Sequence, residues 1–116
     1  MTTKGIRGAI SVKENTPEAI KSATIKLLKE MMERNNIETH LISHVIFTLT
    51  PDLNADFPAK YARIDLKWKD VAMMCFNEID VPGSLKMCLR VLIVINCSKD
   101  FKPEFVYLEE AKDLRK

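Results

Sequence analysis

Apolar and polar residues alternate near the start of the chain. Ile6, Ile10 and Val12 share one parity, and Arg7, Ala9 and Ser11 share the other. A period of two marks a strand with one buried face, so residues 5–12 are predicted as the first strand. Gly5 and Gly8 flank Arg7 and would let another group come close to the backbone. The period then changes. Thr16 suits an N-cap, Pro17 the first helical position, and Glu18 faces the positive end of the helix dipole. Ile20, Thr24, Leu27, Leu28 and Met31 fall on one helical face, with Lys21, Lys26, Lys29 and Glu33 away from it. Asn35-Asn36 is the expected stop. The result is one amphipathic helix of about five turns, the only long one predicted.

Four further strands follow: His44–Thr50, with Val45, Phe47 and Leu49 on one face, then 71–76, 85–96 and 105–108. Residues 50–54 read as a loop, Pro58 opens a short helix carrying Lys60 and Arg63, and Val81-Pro82-Gly83-Ser84 forms a turn. The tail from Glu109 is charged, either helical or loose. One long helix covers only one face of such a sheet. Yet beyond Arg90 both parities are apolar, Val91, Ile93 and Ile95 against Leu92 and Val94. A strand apolar on both sides needs cover on both sides, and the expected cover is a second copy of the chain in a closed symmetric oligomer. The expected fold class is α+β: a five-stranded mixed sheet with one long and one short helix, in a single domain spanning 1–116.

Composition narrows the function classes. The 116 residues suffice for one domain, and 47% apolar with 29% charged residues is ordinary for a globular protein. A net charge of +2 is too small to imply a nucleic-acid or membrane partner. The apolar run Val91–Ile95 falls far short of a membrane span. Cysteines at 75, 88 and 97 form no CxxC pair, and the N-terminus lacks an apolar signal region, so reduced thiols in the cytoplasm are expected.

The densest chemistry lies in Cys75-Phe-Asn-Glu78-Ile-Asp80-Val-Pro82-Gly83, followed by Lys86-Met-Cys88-Leu-Arg90. A guanidinium inside an apolar strand is costly unless something anionic sits opposite. Arg90 therefore points either to an anionic ligand or to an internal ion pair with Glu78. Arg7, Lys60, Arg63 and the Tyr107 hydroxyl could complete a cationic site, although Lys60 and Arg63 also suit a solvated helix face and Arg7 could reach water from an edge strand. Glu78 ends a strand and is a better pocket carboxylate than Asp80, a turn residue. No histidine stands in a recognisable relation to Cys75, which otherwise reads as a small inert hydrophobe. His40 and His44 would suit a metal only on a helix, and their context is loop and strand. No phosphate-cradling glycine loop or GxSxG is present. The inventory fits a small-anion binder, or an enzyme whose reaction needs only positioning and electrostatics.

Several linked motifs then carry a resemblance. Gly5-Ile-Arg7-Gly8-Ala9, Thr50-Pro51-Asp52-Leu53-Asn54-Ala55 leading into Phe57-Pro58-Ala59-Lys60 and Arg63, Cys75 with Glu78, and Asp80-Val-Pro-Gly come first. Lys86 with Cys88, Arg90-Val91 and Val106-Tyr107-Leu108-Glu109 follow. In this order, from residue 4 to about 115, the chain resembles the monofunctional chorismate mutases of the trimeric, sheet-rich type. The resemblance implies a homotrimer with a barrel-like β core, active sites shared between adjacent subunits, and no cofactor or metal ion. It implies that Arg7, Arg90 and Tyr107 hold substrate carboxylate and that Arg90 also donates to the breaking ether oxygen. Glu78 and Cys75 would face the ring hydroxyl, Lys60 and Arg63 the other carboxylate at the mouth, and Phe57 an apolar wall. Met74 stands where a small polar residue is usual, Tyr61 is bulkier than usual, and Leu114 with Arg115 would form a shortened lid. The rival readings are a non-catalytic trimeric binder of a small carboxylate metabolite, and, by analogy of architecture alone, an imine- or enamine-processing enzyme.

Overall fold

The computed structural model describes residues 1–114. The first alternating stretch becomes strand β1, Thr2–Ser11, which starts before residue 5 because Thr2, Thr3 and Lys4 pair with Cys97, Asn96 and Ile95. Backbone hydrogen bonding extends the strand there, and polar side chains give no periodic signal of it. Its partner β4, Cys88–Cys97, lies antiparallel along the whole of β1. Strand β2, Ile42–Leu49, is antiparallel to the other side of β4; β3, Ala72–Asn77, is parallel to β2; and β5, Val106–Leu108, is parallel to β1. The order is β3-β2-β4-β1-β5, so β4 is central. With helices α1, Pro17–Arg34, and α2, Pro58–Ile64, the class is α+β, a five-stranded mixed sheet as expected.

Helix α1 begins where its cap residues dictate, with the Thr16 hydroxyl accepting Ala19 N–H at 3.1 Å. It stops at Asn35, whose side chain also ties the helix end to the segment before β5. Asn35 Nδ2 donates to the carbonyls of Met31 and Glu104 at 2.9 Å, and Oδ1 accepts Glu104 N–H at 2.7 Å. The buried stripe Ile20, Thr24, Leu27, Leu28 and Met31 matches the predicted one. Thr24 is tolerated because its hydroxyl donates to the Ile20 carbonyl at 2.7 Å. This stripe packs on the near face of the sheet, which presents Ile6, Ile10, Val45, Phe47, Leu89 and Ile93.

The far face alternates with the near one and carries Arg7, Ala9, Ile46, Thr48, Arg90, Leu92 and Tyr107. Leu92 and Val94 there are half-buried, and no helix lies over them. Toward the β3 edge Met74 is 61% and Phe76 45% exposed, so apolar area on this face is left open. One corner is covered from within the chain, contrary to the expectation of none. A 3₁₀ turn at Glu109–Asp113 sets Ala111 against Ala9 and Cys88, with Tyr107, Leu85 and Leu114 around them. Residues 109–114 of the tail therefore form a packed 3₁₀ turn, the helical one of the two expected forms. Its geometry depends on Glu109 at φ 56, with the carboxylate on Lys26 at 2.5 Å and Ser11 Oγ accepting Glu110 N–H at 2.9 Å. Lys26 also draws the Glu109 pKa below the usual carboxylate range. Arg115 lies outside the described residues.

The fourth strand starts at Cys88, later than the pattern suggested. Met87 just before it has φ 51, and its N–H is held by both Asp52 carboxylate oxygens at 3.1 Å. Asp52 Oδ1 also accepts Thr50 Oγ1 at 2.5 Å, and that hydroxyl accepts Cys88 N–H at 3.0 Å.

Close packing of α1 on β1 requires Gly8. A Cβ there would lie 2.4 Å from Met31 Sδ, and Met31 is fully buried with little room to yield. Gly8→Ala should therefore destabilise the fold by about 1–3 kcal/mol, the usual scale of overpacking. Urea unfolding at matched protein concentration should show a lower midpoint with the slope unchanged; an unaltered midpoint would refute this packing constraint.

Candidate active site

Strand register builds the site. Ala9 pairs with Arg90 and with Tyr107, and Arg90 pairs with Thr48. Tyr107, Ala9, Arg90 and Thr48 therefore form one row across four strands on the far face. Alanine at position 9 leaves space between the phenol and the guanidinium. Beyond β3, Glu78 N–H donates to the Leu49 carbonyl at 2.8 Å, which brings the Glu78 side chain up beside Thr48. Arg7, Leu92 and Ile46 also line this cleft of about 330 Å³.

Two buried donors in this cleft are unsatisfied. Arg90 Nε and Tyr107 Oη make no hydrogen bond among the described residues. Each such group costs about 1–3 kcal/mol when left unpaired, so two in one cleft mark a place for an acceptor. The expected Arg90–Glu78 contact exists, with Nε 3.3 Å from Glu78 Oε1, but the N–H direction misses the oxygen and no hydrogen bond forms. Glu78 Oε1 instead accepts the Thr48 hydroxyl at 2.6 Å. The carboxylate thus offsets part of the Arg90 charge without clasping the fork. Cys88 lies in the packed corner near this cleft. Burial pushes its thiol pKa up, Arg90 partly opposes this and Glu78 reinforces it, so it stays a neutral small hydrophobe.

A second cluster sits at the β3 edge. Phe57, Lys60, Arg63, Met74 and Cys75 line a cleft of about 390 Å³ between α2 and β3. Cys75 pairs with Phe47 and so faces the α1 side of the sheet, where burial raises its thiol pKa. Within one chain Cys75 and Glu78 therefore lie on opposite faces. Met74 alternates onto the far face. Lys60 Nζ is 3.1 Å from Asp56 and 5.5 Å from the centroid of the Tyr61 ring. Asp56 also accepts Tyr61 Oη at 2.5 Å and Phe57 N–H at 2.8 Å. These bonds, Tyr61 foremost, lower its pKa to about 2, and the same bond raises Tyr61 to about 12. The loop carrying Asp56 is pinned by Asn15 Oδ1, which accepts the N–H groups of Asn54 and Ala55 at 2.9 Å.

Of the residues expected in the site, Arg7, Glu78, Arg90 and Tyr107 meet in the far-face cleft. Phe57, Lys60, Arg63, Met74 and Cys75 gather at the edge, and Leu114 lines neither cleft but packs against the Ala9, Cys88 and Ala111 corner. Thr48, Ala9 and Leu92 were not anticipated. Parity alone set Thr48 opposite Val45, Phe47 and Leu49, but only register reveals that its neighbour is Arg90. No His, Cys, Asp and Glu grouping suited to a metal occurs among the described residues, and no described helix is long and apolar enough to cross a membrane.

Residues 3–116 match the family model of chorismate mutase type I. The chain is 45% identical over 114 residues to a chorismate mutase AroH of Thermus thermophilus, covering 97% of this chain and 93% of that one. It is 37% identical over 116 residues to the chorismate mutase AroH of Bacillus subtilis, covering 99% and 91%. Among solved structures, a chorismate mutase from Clostridium thermocellum superposes with a TM-score of 0.90 at 51% identity, covering 94% of this chain and 97% of that one.

The Asp56 network has a titration consequence. Its folded pKa is depressed, so its contribution to stability is present above the unfolded value near 3.8 and is lost as pH falls toward 2. Removing the largest cause with Tyr61→Phe should raise the Asp56 pKa back toward 3.8, read from its carboxyl carbon by NMR. An unchanged titration would mean that Phe57 N–H and Lys60 hold the charge without the phenol.

Proposed function

The chain belongs to the type I chorismate mutase family, and we propose that its far-face cleft binds chorismate and catalyses the rearrangement to prephenate, a step toward phenylalanine and tyrosine. The observation that carries this assignment is the pair of buried, unsatisfied donors, Arg90 Nε and Tyr107 Oη. They supply what a dianion with a developing oxyanion requires.

The reaction is a unimolecular Claisen-type rearrangement. A carbon–oxygen bond breaks as a carbon–carbon bond forms, with no net proton transfer. Negative charge builds on the ether oxygen in the transition state. Arg90, rigid on the central strand, donates there and stabilises that charge more than the ground state. Arg7 and Tyr107 hold the carboxylate of the enolpyruvyl arm, which keeps the arm over the ring in the reactive shape. Glu78 accepts from the ring hydroxyl. A carboxylate so close to Arg90 also restrains the net positive charge, so that the substrate is not held too tightly as a ground-state ion pair.

The second carboxylate falls to Lys60 and Arg63, with Phe57, Met74 and Cys75 as walls, from the β3 edge of a neighbouring subunit. The open far face, the exposed Met74 and Phe76, and the separation of the two clusters within one chain support a homotrimer with sites shared between subunits. In such an assembly Cys75 of one chain can approach Glu78 of the next, although the two lie on opposite faces of a single sheet. Leu114 packs, as Tyr107 does, against the Ala9, Cys88 and Ala111 corner that borders the cleft.

Loss of chorismate absorbance on adding the protein tests the activity directly, and binding without turnover would favour the metabolite-binding alternative. Arg90→Lys should keep the assembly but lower kcat by about a hundredfold or more, the scale of removing an oxyanion donor. The kcat of the natural protein should be flat through neutral pH, since no proton moves; a limb near neutrality would contradict the mechanism. Shared sites have their own readout. Mixing Arg90→Ala with Arg63→Ala subunits under exchange conditions should give more turnover than either parent, because some mixed sites contain both native arginines. Turnover that never exceeds the parental mean would place the whole site within one chain.

A further inference from the structure

Resting on the activity proposed above, we infer that Thr48 is a positioning residue that keeps the Arg90 fork available by holding Glu78 away from it. Two groups converge on one oxygen of Glu78. Glu78 Oε1 accepts the Thr48 hydroxyl at 2.6 Å, while Arg90 Nε stands 3.3 Å from that same oxygen without a hydrogen bond. Thr48 and Arg90 are directly paired across β2 and β4, so their side chains rise side by side from the sheet. The side chains of Arg90 and Glu78 are 34% and 26% exposed, and in such a partly dry setting a carboxylate and a guanidinium tend strongly toward a two-bond clasp.

A clasp of that kind would fill the donors needed by the ether oxygen. The neutral hydroxyl prevents it at little expense. It satisfies one lobe of Oε1 with a short bond and fixes the carboxylate plane, leaving Arg90 beside the charge but outside hydrogen-bond alignment. Its single proton is committed to Glu78, so Thr48 does not itself donate to substrate. The other groups lining the cleft do not substitute for it. Arg7 on β1 is another cation, Tyr107 on β5 has its own unsatisfied hydroxyl, and Ile46 and Leu92 are apolar.

The test uses the full-length protein and begins with turnover of chorismate by the natural sequence, which examines the proposed activity separately. Thr48→Val keeps the β-branched shape and removes the donor, so it should lower kcat by about tenfold or more, part of the loss from deleting a direct oxyanion donor. KM should stay within about threefold, because the carboxylate-binding cations remain. Thr48→Ser restores the hydroxyl and should recover most of kcat. In the Glu78→Gln background, Thr48→Val should cost no more than about twofold, because the charge it restrains is gone. Should Thr48→Val not fold, Thr48→Ala carries the same expectations. A natural kcat in a folded Thr48→Val, or an equal loss in both backgrounds, overturns the inference. So does a Thr48→Ser variant as impaired as Thr48→Val. Inactivity of the natural sequence would instead overturn the activity on which it rests.

Discussion

A guanidinium fixed in the middle of the central strand is the constraint around which this protein is organised. Arg90 is flanked along β4 by Leu89, Val91 and Leu92, and its Nε is buried without a hydrogen-bond partner among the described residues. Burying such a group is costly unless something answers its charge. The fold answers halfway. Glu78 lies close enough to temper the charge, yet is turned by Thr48 so that it does not consume it. The remainder of the electrostatic demand is left for a ligand, and that incompleteness is what a catalyst of charge redistribution requires.

Division of labour between the sheet faces makes this affordable. The near face is an ordinary core in which α1 packs its stripe on Ile6, Ile10, Phe47 and Leu89, and Gly8 lets the helix come close. Stability is thereby secured on one side, and the other side can carry unsatisfied polar groups and open apolar area. Short-range devices hold the site elements to this frame. Asp52 and Thr50 fix the approach to β4, Asn15 fixes the loop before α2, and the Lys26–Glu109 and Ser11–Glu110 contacts fix the turn that carries Ala111 and Leu114.

Legibility followed the range of the interaction. Helix α1 was readable because its cap, its period and its stop are all local, and the near-face strands were readable from simple alternation. The first residues of β1 were not, since Thr2, Thr3 and Lys4 join the sheet through backbone pairing with the end of β4. The packed tail was hidden because a charged segment with a non-glycine residue at φ 56 depends on partners far away in sequence. Cys75 and Glu78 are instructive. Their spacing of three sets them on opposite faces of an extended strand, a geometric fact present in the sequence that the grouping by chemistry passed over.

The sequence by itself determined the α+β class, the one long helix, the costly arginine and its neighbouring carboxylate, because each depends on local periodicity or on the expense of burying charge. It also carried, through linked motifs, the resemblance to the chorismate mutases. Only the tertiary structure decided which side chains share a row across the sheet, that Thr48 rather than Arg90 donates the hydrogen bond to Glu78, and that the cationic residues divide into two separate clefts. Those outcomes depend on strand order and register between segments that are distant along the chain, and no local pattern encodes which strand will lie beside which.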